Sequence, residues 1–319
     1  MKFLVCTGHP LESQANAQVR RSVMDGLEAC FGEGSATAAN ISGASGVVGA
    51  LQPDFVLGLG SYLPESTYFG EVAREARRVG ARMVFWATEE PYEQDASYRI
   101  ERDFDAIFSC DRWGVNFHRH KHAYHLPLAG CGVRHVRPYD EAAERPIDVM
   151  FCGVAFSSRK ELIEELRPSL AGLNISFIGP GWGQFGFGFS DRRIEKDQLI
   201  DLYGQSKIVL NLGRSLHFEN QRYMIVPSSP GPRTYEAALA GALQLFHEDT
   251  YEIRRYFTAD EMPTFSNKRE FDTLLTRYLG SPALRHATAR RAQQRALAEH
   301  TYAHRMQAMV QTLKAQALL

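Results

Sequence analysis

The stretch DVMFCGVAFSSRKELIEEL, Asp148–Leu166, changes character half-way along. Its first part is a continuous apolar run that stops at Gly153, the pattern of a strand covered on both faces. A small-residue turn follows, and Arg159 and Lys160 then open an amphipathic helical stretch. Strand, turn and helix in that order predict half of a βαβ unit, and so a parallel sheet.

The same alternation runs through most of the chain. KFLVCTG, DFVLGLG, ARMVFWAT, DAIFSC and AYHLPLA read as strands in the first half, and IDVMFCGVAF, ISFIGPG, SKIVLNLG and GALQLFHE in the second. Between them NAQVRRSVMDGLEACF, YFGEVAREARRVG, RKELIEELRPSLAG and KDQLIDLYGQ read as helices. The alternation pauses in the Gly/Pro-bearing polar segment Gly130–Val149, read here as a linker, and beyond Phe265 the chain turns helical. The expectation is an α/β protein with domains over about residues 1–140 and 146–300. Ligands of such sheets bind at the C-terminal ends of the strands, so two successive units are expected to face a central cleft there.

With 319 residues the chain is long enough for two cores, and its 36 basic against 37 acidic residues give a net charge of −1. That balance supplies no general attraction for a polyanion, so a nucleic-acid partner is not expected. The five cysteines are scattered and form no CxxC pair, which points to a reducing, cytoplasmic setting rather than a disulfide framework or structural zinc. MKFLVCTGHP reads as a first strand rather than a leader, and no apolar run approaches the roughly 20 residues of a membrane span.

Several strand ends carry groups able to do chemistry. At the head of the helix after Gly153, Arg159 and Lys160 beside unpaired helix N–H groups would suit a phosphate or diphosphate. Alternatively Ser157 or Ser158 caps that helix, with Glu161 completing a capping box. The loop FIGPGWGQFGFGFS, Phe177–Ser190, either brings Gly181 and Trp182 to a flat ligand or buries its aromatics. In GPRTYEAALAGALQLF, Gly231–Phe246, a helix opens on Pro232, Arg233, Tyr235 and Glu236 and continues with small residues that permit close packing under a ligand. Glu236 is then either a ligand contact or a charge favourable to its own helix dipole. In the first half, Glu89, Glu90, Glu93 and Asp95 follow a strand in WATEEPYEQD, as general bases or as a solvated acidic loop. NFHRHKHAYH holds His118, His120, His122 and His125; a strand through 118–122 would align three imidazoles for a metal, but the strand is expected only from about Ala123, so no metal site is expected. His9, after Gly8 at the end of the first strand, is a further residue expected to face the cleft.

The order of WATEEPYEQD, DAIFSCDRWGVNFHRHKHAYHLPLAG, DVMFCGVAFSSRKELIEEL, FIGPGWG, YGQSKIVLNL, RTYEAALAGALQLF and YLGSPALRHATARRAQQRALAEHTYAHRM resembles the CgeB-like proteins, placed with the group 1 glycosyltransferases of GT-B fold. The resemblance covers the chain from about Asp54. It implies two Rossmann-like domains, with a final helix over about residues 301–319 crossing back to the first. It also implies sugar transfer from a nucleotide diphosphate donor, most readily a UDP-sugar, to an acceptor hydroxyl or amine without cofactor or metal. Glu236 would accept from the donor ribose, Arg159 and Lys160 would face the diphosphate, Gly181 and Trp182 would border the base, and Arg233 and Tyr235 would lie at the same pocket. His9, Glu89, Glu90, Asp95 and His118 are the candidates for a catalytic base. The chain departs from the pattern in carrying Ser228 where many group 1 enzymes have a second Glu eight residues before the ribose ligand, and Glu89–Glu90 where relatives have Asp-Asp. The first departure leaves two alternatives open: a nucleotide-sugar-binding protein without transfer activity, or a sugar epimerase of the same fold.

Overall fold

The computed structural model describes residues 1–8, 14–63, 68–186, 188–214, 219–248 and 251–319. Two compact units divide the chain. The first comprises Met1–Cys131, Thr301–Leu319 and, from the middle of the chain, the described residues 219–229; the second comprises Gly132 to residue 214 and Pro230–His300.

In the first unit, β1 (Phe3–Thr7), β2 (Ala36–Asn40), β3 (Phe55–Gly60), β4 (Arg82–Ala87), β5 (Ala106–Ser109) and β6 (Ala123–His125) form one parallel sheet ordered β2-β1-β3-β4-β5-β6. Alternate residues explain why its strands read as unbroken apolar runs. Phe3 and Val5 enter one core with Leu57, Val84 and Trp86, while Leu4 and Cys6 enter the opposite core with Val56, Met83 and Phe85. Helices α1 (Gln14–Phe31), α2 (Ala44–Leu51) and α3 (Phe69–Val79) cover the two faces.

The C-terminal helix α9 (Tyr302–Ala315) completes the first of those cores with Met306, Met309, Val310 and Leu313. Its start is fixed by a capping box between Thr301 and His304. Tyr302 N–H donates to the Gly130 carbonyl at 2.9 Å, and Arg305 Nε donates to the Pro127 carbonyl at 2.9 Å. The residues before α9 belong to the second unit, so the last helix returns to the first, as expected from the resemblance.

The second unit repeats the scheme with β7 (Ile147–Cys152), α4 (Ser157–Leu166), β8 (Ile175–Ile178), β9 (Phe189–Ser190), α5 (Lys196–Gly204), β10 (Ser206–Asn211), α6 (Pro232–Leu239), β11 (Gln244–His247) and β12 (Thr264–Phe265), followed by α7 (Lys268–Gly280) and α8 (Pro282–Glu299). Its parallel sheet is ordered β12-β11-β10-β7-β8-β9. Strands are added outward in both directions from the β7–β10 pair, and a sheet of this kind leaves a crevice beyond the C-terminal ends of that pair. The expectation of two Rossmann-like units in an α/β chain is met.

Close packing of α1 against the start of α9 allows a test of this docking. A Cβ added at Gly26 would lie 2.8 Å from the Tyr302 carbonyl carbon and 3.0 Å from the Ala303 nitrogen, both backbone, whereas one added at Gly46 in α2 meets nothing within 4 Å. Helix propensity favours alanine at both by about 1 kcal/mol. Gly26→Ala is therefore expected to lower stability by about 1 to 3 kcal/mol despite its propensity gain, and Gly46→Ala to raise it by up to about 1 kcal/mol. Urea unfolding of the two variants checks the pair, and equal behaviour would contradict the α1–α9 contact.

Candidate functional site

The β7–β10 crevice is built around a glycine squeezed between two guanidinium groups. Gly153 follows β7, and a Cβ added there would sit 3.0 Å from Nη1 of both Arg159 and Arg233. Arg159, in the first turn of α4, donates from Nε to the Gly213 carbonyl at 2.7 Å, from Nη2 to the Leu212 carbonyl at 2.8 Å and from Nη1 to the Val154 carbonyl at 3.0 Å. It thereby ties the residues after β10 to those after β7. Arg233, in the first turn of α6, donates from Nη1 to the Cys152 carbonyl. Lys160 is half-buried beside Arg159.

The head of α4 settles one alternative. The residue before the helix is Phe156, whose side chain makes no capping hydrogen bond. Ser157 is already helical, so the capping box read around Ser157, Ser158 and Glu161 does not form. The cations and the positive end of the helix dipole thus stand together without a protein carboxylate in that turn.

Behind this edge, the loop after β8 is closed by backbone proximity. Gly179 has φ +147°, and a Cβ there would come within 2.2 Å of the Gly153 carbonyl oxygen, so only glycine fits. The buried Trp182 donates Nε1–H to that same oxygen at 2.8 Å and packs on Phe151, Phe177, Phe185 and Phe189. Its ring faces are thus used in the core, and the exposed Gly181 with Pro180 forms the outer surface of the loop. Tyr235 is likewise fully buried, packed on Tyr256, Phe257 and His300.

Glu236 turns inward from α6 and is 4% exposed, which excludes the reading of a solvent-facing dipole charge. Its Oε2 forms an ion pair with Nζ of Lys196, the first residue of α5. Burial alone would raise the carboxyl, but Lys196, His135 and Arg233 outweigh it and hold Glu236 below the usual carboxylate range. The sequence reading missed Lys196 and His135; neither sits in a motif, and both reach Glu236 only through folding.

In the first unit the acidic run after β4 is mostly internal. The side chains of Glu90 and His118 have no exposed surface, and His118 Nε2 lies 2.7 Å from Glu90 Oε1, with Glu101 Oε1 3.7 Å from Nδ1. Burial works against the imidazolium, yet the Glu90 and Glu101 carboxylates prevail and lift His118 from 6.5 to about 9. Burial pushes Glu93 up to about 7 even though Ser61 Oγ donates to both its oxygens at 2.7 and 2.8 Å. Glu89 is half-buried and retains access to solvent. His9 lies outside the described residues. The other imidazoles diverge: His120 meets the Phe104 carbonyl, His122 the Tyr124 hydroxyl and His125 the Ser229 hydroxyl. Among the described residues no group of three His, Cys, Asp or Glu is arranged to hold a metal ion.

Ser228 and Asp95 also find their partners in the first unit. Asp111, 1% exposed, accepts from the Ser228 and Ser229 N–H groups at 2.7 and 3.1 Å, from Ser228 Oγ at 3.1 Å, and from the Trp113 and Gly114 N–H groups at 2.9 Å each. Asp95 Oδ2 accepts from the Gln221 and Arg222 N–H groups at 2.7 and 2.9 Å. Two aspartates therefore fix the segment that leads to α6, and the sequence reading missed Asp111 entirely.

Comparison with known proteins bears on the second unit first. Residues 158–311 match the glycosyl transferase-like family. That span contains Arg159, Lys160, Gly181, Trp182, Lys196, Arg233, Tyr235 and Glu236. No curated protein sequence matches the chain. Among solved structures, Anabaena HepE in complex with UDP is similar over 99% of this chain and 100% of its own at 10% identity and a TM-score of 0.63. The same protein with UDP and glucose gives 9% identity and a TM-score of 0.66 over 98% and 99% of the two chains. Sucrose-phosphate synthase from Thermosynechococcus elongatus gives 10% and 0.60 over 99% and 100%. At such identities the likeness is one of fold, the GT-B fold with its two Rossmann-like domains.

The buried imidazolium makes a pH prediction. A group raised from 6.5 to about 9 on folding stabilises fully below about pH 6.5 and loses that contribution as pH climbs through 9. Unfolding free energy is expected to fall by about 3 kcal/mol across that window, in the same direction as the loss from Glu93 between 4.5 and about 7. The double variant His118→Gln with Glu90→Gln keeps a neutral hydrogen bond and is expected to flatten the upper window. A pH series of denaturation midpoints measures both, and an unchanged slope in the double variant would falsify the assignment.

Proposed function

We propose that the chain is a CgeB-like glycosyltransferase that moves a sugar from a nucleotide diphosphate donor, a UDP-sugar foremost, to an acceptor hydroxyl or amine without a metal. The observation that carries this reading is the ionised, buried Glu236 in the same helix as Arg233, whose guanidinium meets that of Arg159 over Gly153. A carboxylate suits the hydroxyls of a ribose, and cations at a helix head suit a diphosphate. Negative charge grows on the diphosphate as the sugar leaves, so positive groups already in place lower the barrier without reorganisation. The glycosyl transferase-like match over residues 158–311 and the UDP in the similar HepE structures support the donor class.

Within this reading Arg159, Lys160 and Arg233 face the diphosphate, Glu236 the ribose, and Gly181 the base, with Trp182 and Tyr235 shaping the pocket from beneath. Of the bases considered, Glu89 is half-buried, whereas Glu90 and His118 are closed in on each other. The five cysteines, all free thiols, support a cytoplasmic setting, and among the described residues no helix is long and apolar enough to cross a membrane. A second reading, a nucleotide-sugar-binding protein without transfer, is favoured by one observation. The N–H and Oγ of Ser228 both donate to Asp111, so neither side-chain nor backbone donor there is left for a donor sugar.

Glu236→Ala is expected to weaken UDP binding by about 1.5 to 3 kcal/mol in a folded protein, read by calorimetry; unaltered affinity removes Glu236 from the site. Incubation with UDP-, GDP- and dTDP-sugars and an acceptor panel separates the readings: transfer releases nucleoside diphosphate, whereas a pure binder shows only thermal stabilisation. Release is expected to persist in EDTA; loss with rescue by a divalent ion would overturn the metal-free mechanism.

A further inference from the structure

Glu236 and Lys196 form a buried pair whose two members are unequally accessible. The glutamate side chain is 5% exposed and the lysine side chain 18%, so Lys196 is the more accessible partner. Lys196 is also placed from outside the helix that carries Glu236, by the first residue of α5. Two chemistries therefore meet at one point: a carboxylate, which only accepts, and an ammonium, which only donates. A hydroxyl can serve both at once, giving its proton to the carboxylate and taking one from the ammonium. A pair of adjacent hydroxyls matches an ion pair better than a single hydroxyl, because each charged group then keeps a partner when the two are spread apart.

We propose that Lys196 is a specificity-determining residue that, together with Glu236, reads the cis-diol of a ribonucleoside diphosphate donor and discriminates against the 2′-deoxy form. The proposal rests on the donor-site reading given above. In the absence of ligand Lys196 neutralises Glu236; with ligand, the diol bridges the two groups. A lysine serving only as counter-charge would affect all nucleotides alike, whereas a diol reader affects the ribo and deoxy forms unequally.

The test compares UDP with 2′-deoxy-UDP by calorimetry in the wild-type protein, in Lys196→Met and in Lys196→Arg. Lys207→Met serves as control, since it breaks a lysine–carboxylate pair with Asp148 in the same unit, 2.6 Å in length and outside the crevice. Hydrogen bonds to charged groups imply that wild-type protein prefers UDP by about tenfold or more. Lys196→Met is expected to weaken UDP by about tenfold and to shrink the preference below about threefold. Lys196→Arg keeps most of the preference, and Lys207→Met keeps all of it. Should Lys196→Met leave the preference intact, whatever it does to overall affinity, the proposal is wrong while the donor site stands. Should it unfold, Lys196→Arg and the wild-type ratio still decide: equal binding of UDP and 2′-deoxy-UDP by wild type overturns the proposal. A wild-type protein that binds no UDP at all removes the donor site and this inference with it.

Discussion

Carbonyl groups just past the C-terminal edge of the second sheet need donors, and Arg159 supplies them. Strands β7 and β10 are neighbours, and beyond their last ladder bonds the Val154, Leu212 and Gly213 carbonyls have left the ladder. A planar guanidinium with several donors in fixed directions can serve all three, which a lysine could not do with the same geometry. That single contact sets the rest of the crevice. A Cβ at Gly153 would crowd two guanidinium groups, and Gly179 must lack a side chain because it rests on the Gly153 carbonyl. The group that closes the sheet edge is also the one that carries positive charge to it, so fold and candidate chemistry share a residue.

Burial of charge is managed in three different ways in this protein. Asp111 is compensated by backbone N–H groups and a hydroxyl. His118 and Glu90 compensate each other directly, and Glu236 is compensated by the more accessible Lys196. These solutions differ in what a ligand could change. A carboxylate wrapped in backbone donors is a structural anchor, since releasing it would expose unpaired N–H groups at a cost of about 1 to 3 kcal/mol each. An ion pair with a partly exposed member can open toward a hydroxyl and remain satisfied. Asp111 thus holds the segment before α6, and the Glu236–Lys196 pair is the one that a ligand could open.

Local pattern carried much of the organisation. The apolar runs around Phe3–Thr7 and Ile147–Cys152 read as strands because alternate residues feed two cores, and Pro232 after a glycine marked the start of α6. Arg159, Arg233 and Glu236 stood out because they follow strands or open helices, positions that a one-dimensional reading can recognise. The capping box at Ser157–Glu161 failed for the opposite reason: the helix starts one residue earlier than the pattern suggests, and helix starts are decided by local hydrogen bonds rather than by residue type alone.

The sequence alone determined a parallel α/β chain that ends in helices, because strand and helix periods are properties of neighbouring residues; the return of the last helix to the first unit was implied only by the family resemblance. Tertiary structure decided which charges meet. Lys196 finds Glu236, Asp111 finds Ser228, and Glu90 with His118 withdraws from solvent through contacts between residues remote in sequence, which no period or spacing records. The physical reason is that secondary structure follows from short-range sterics and backbone hydrogen bonds, whereas ionisation and access depend on everything packed around a group.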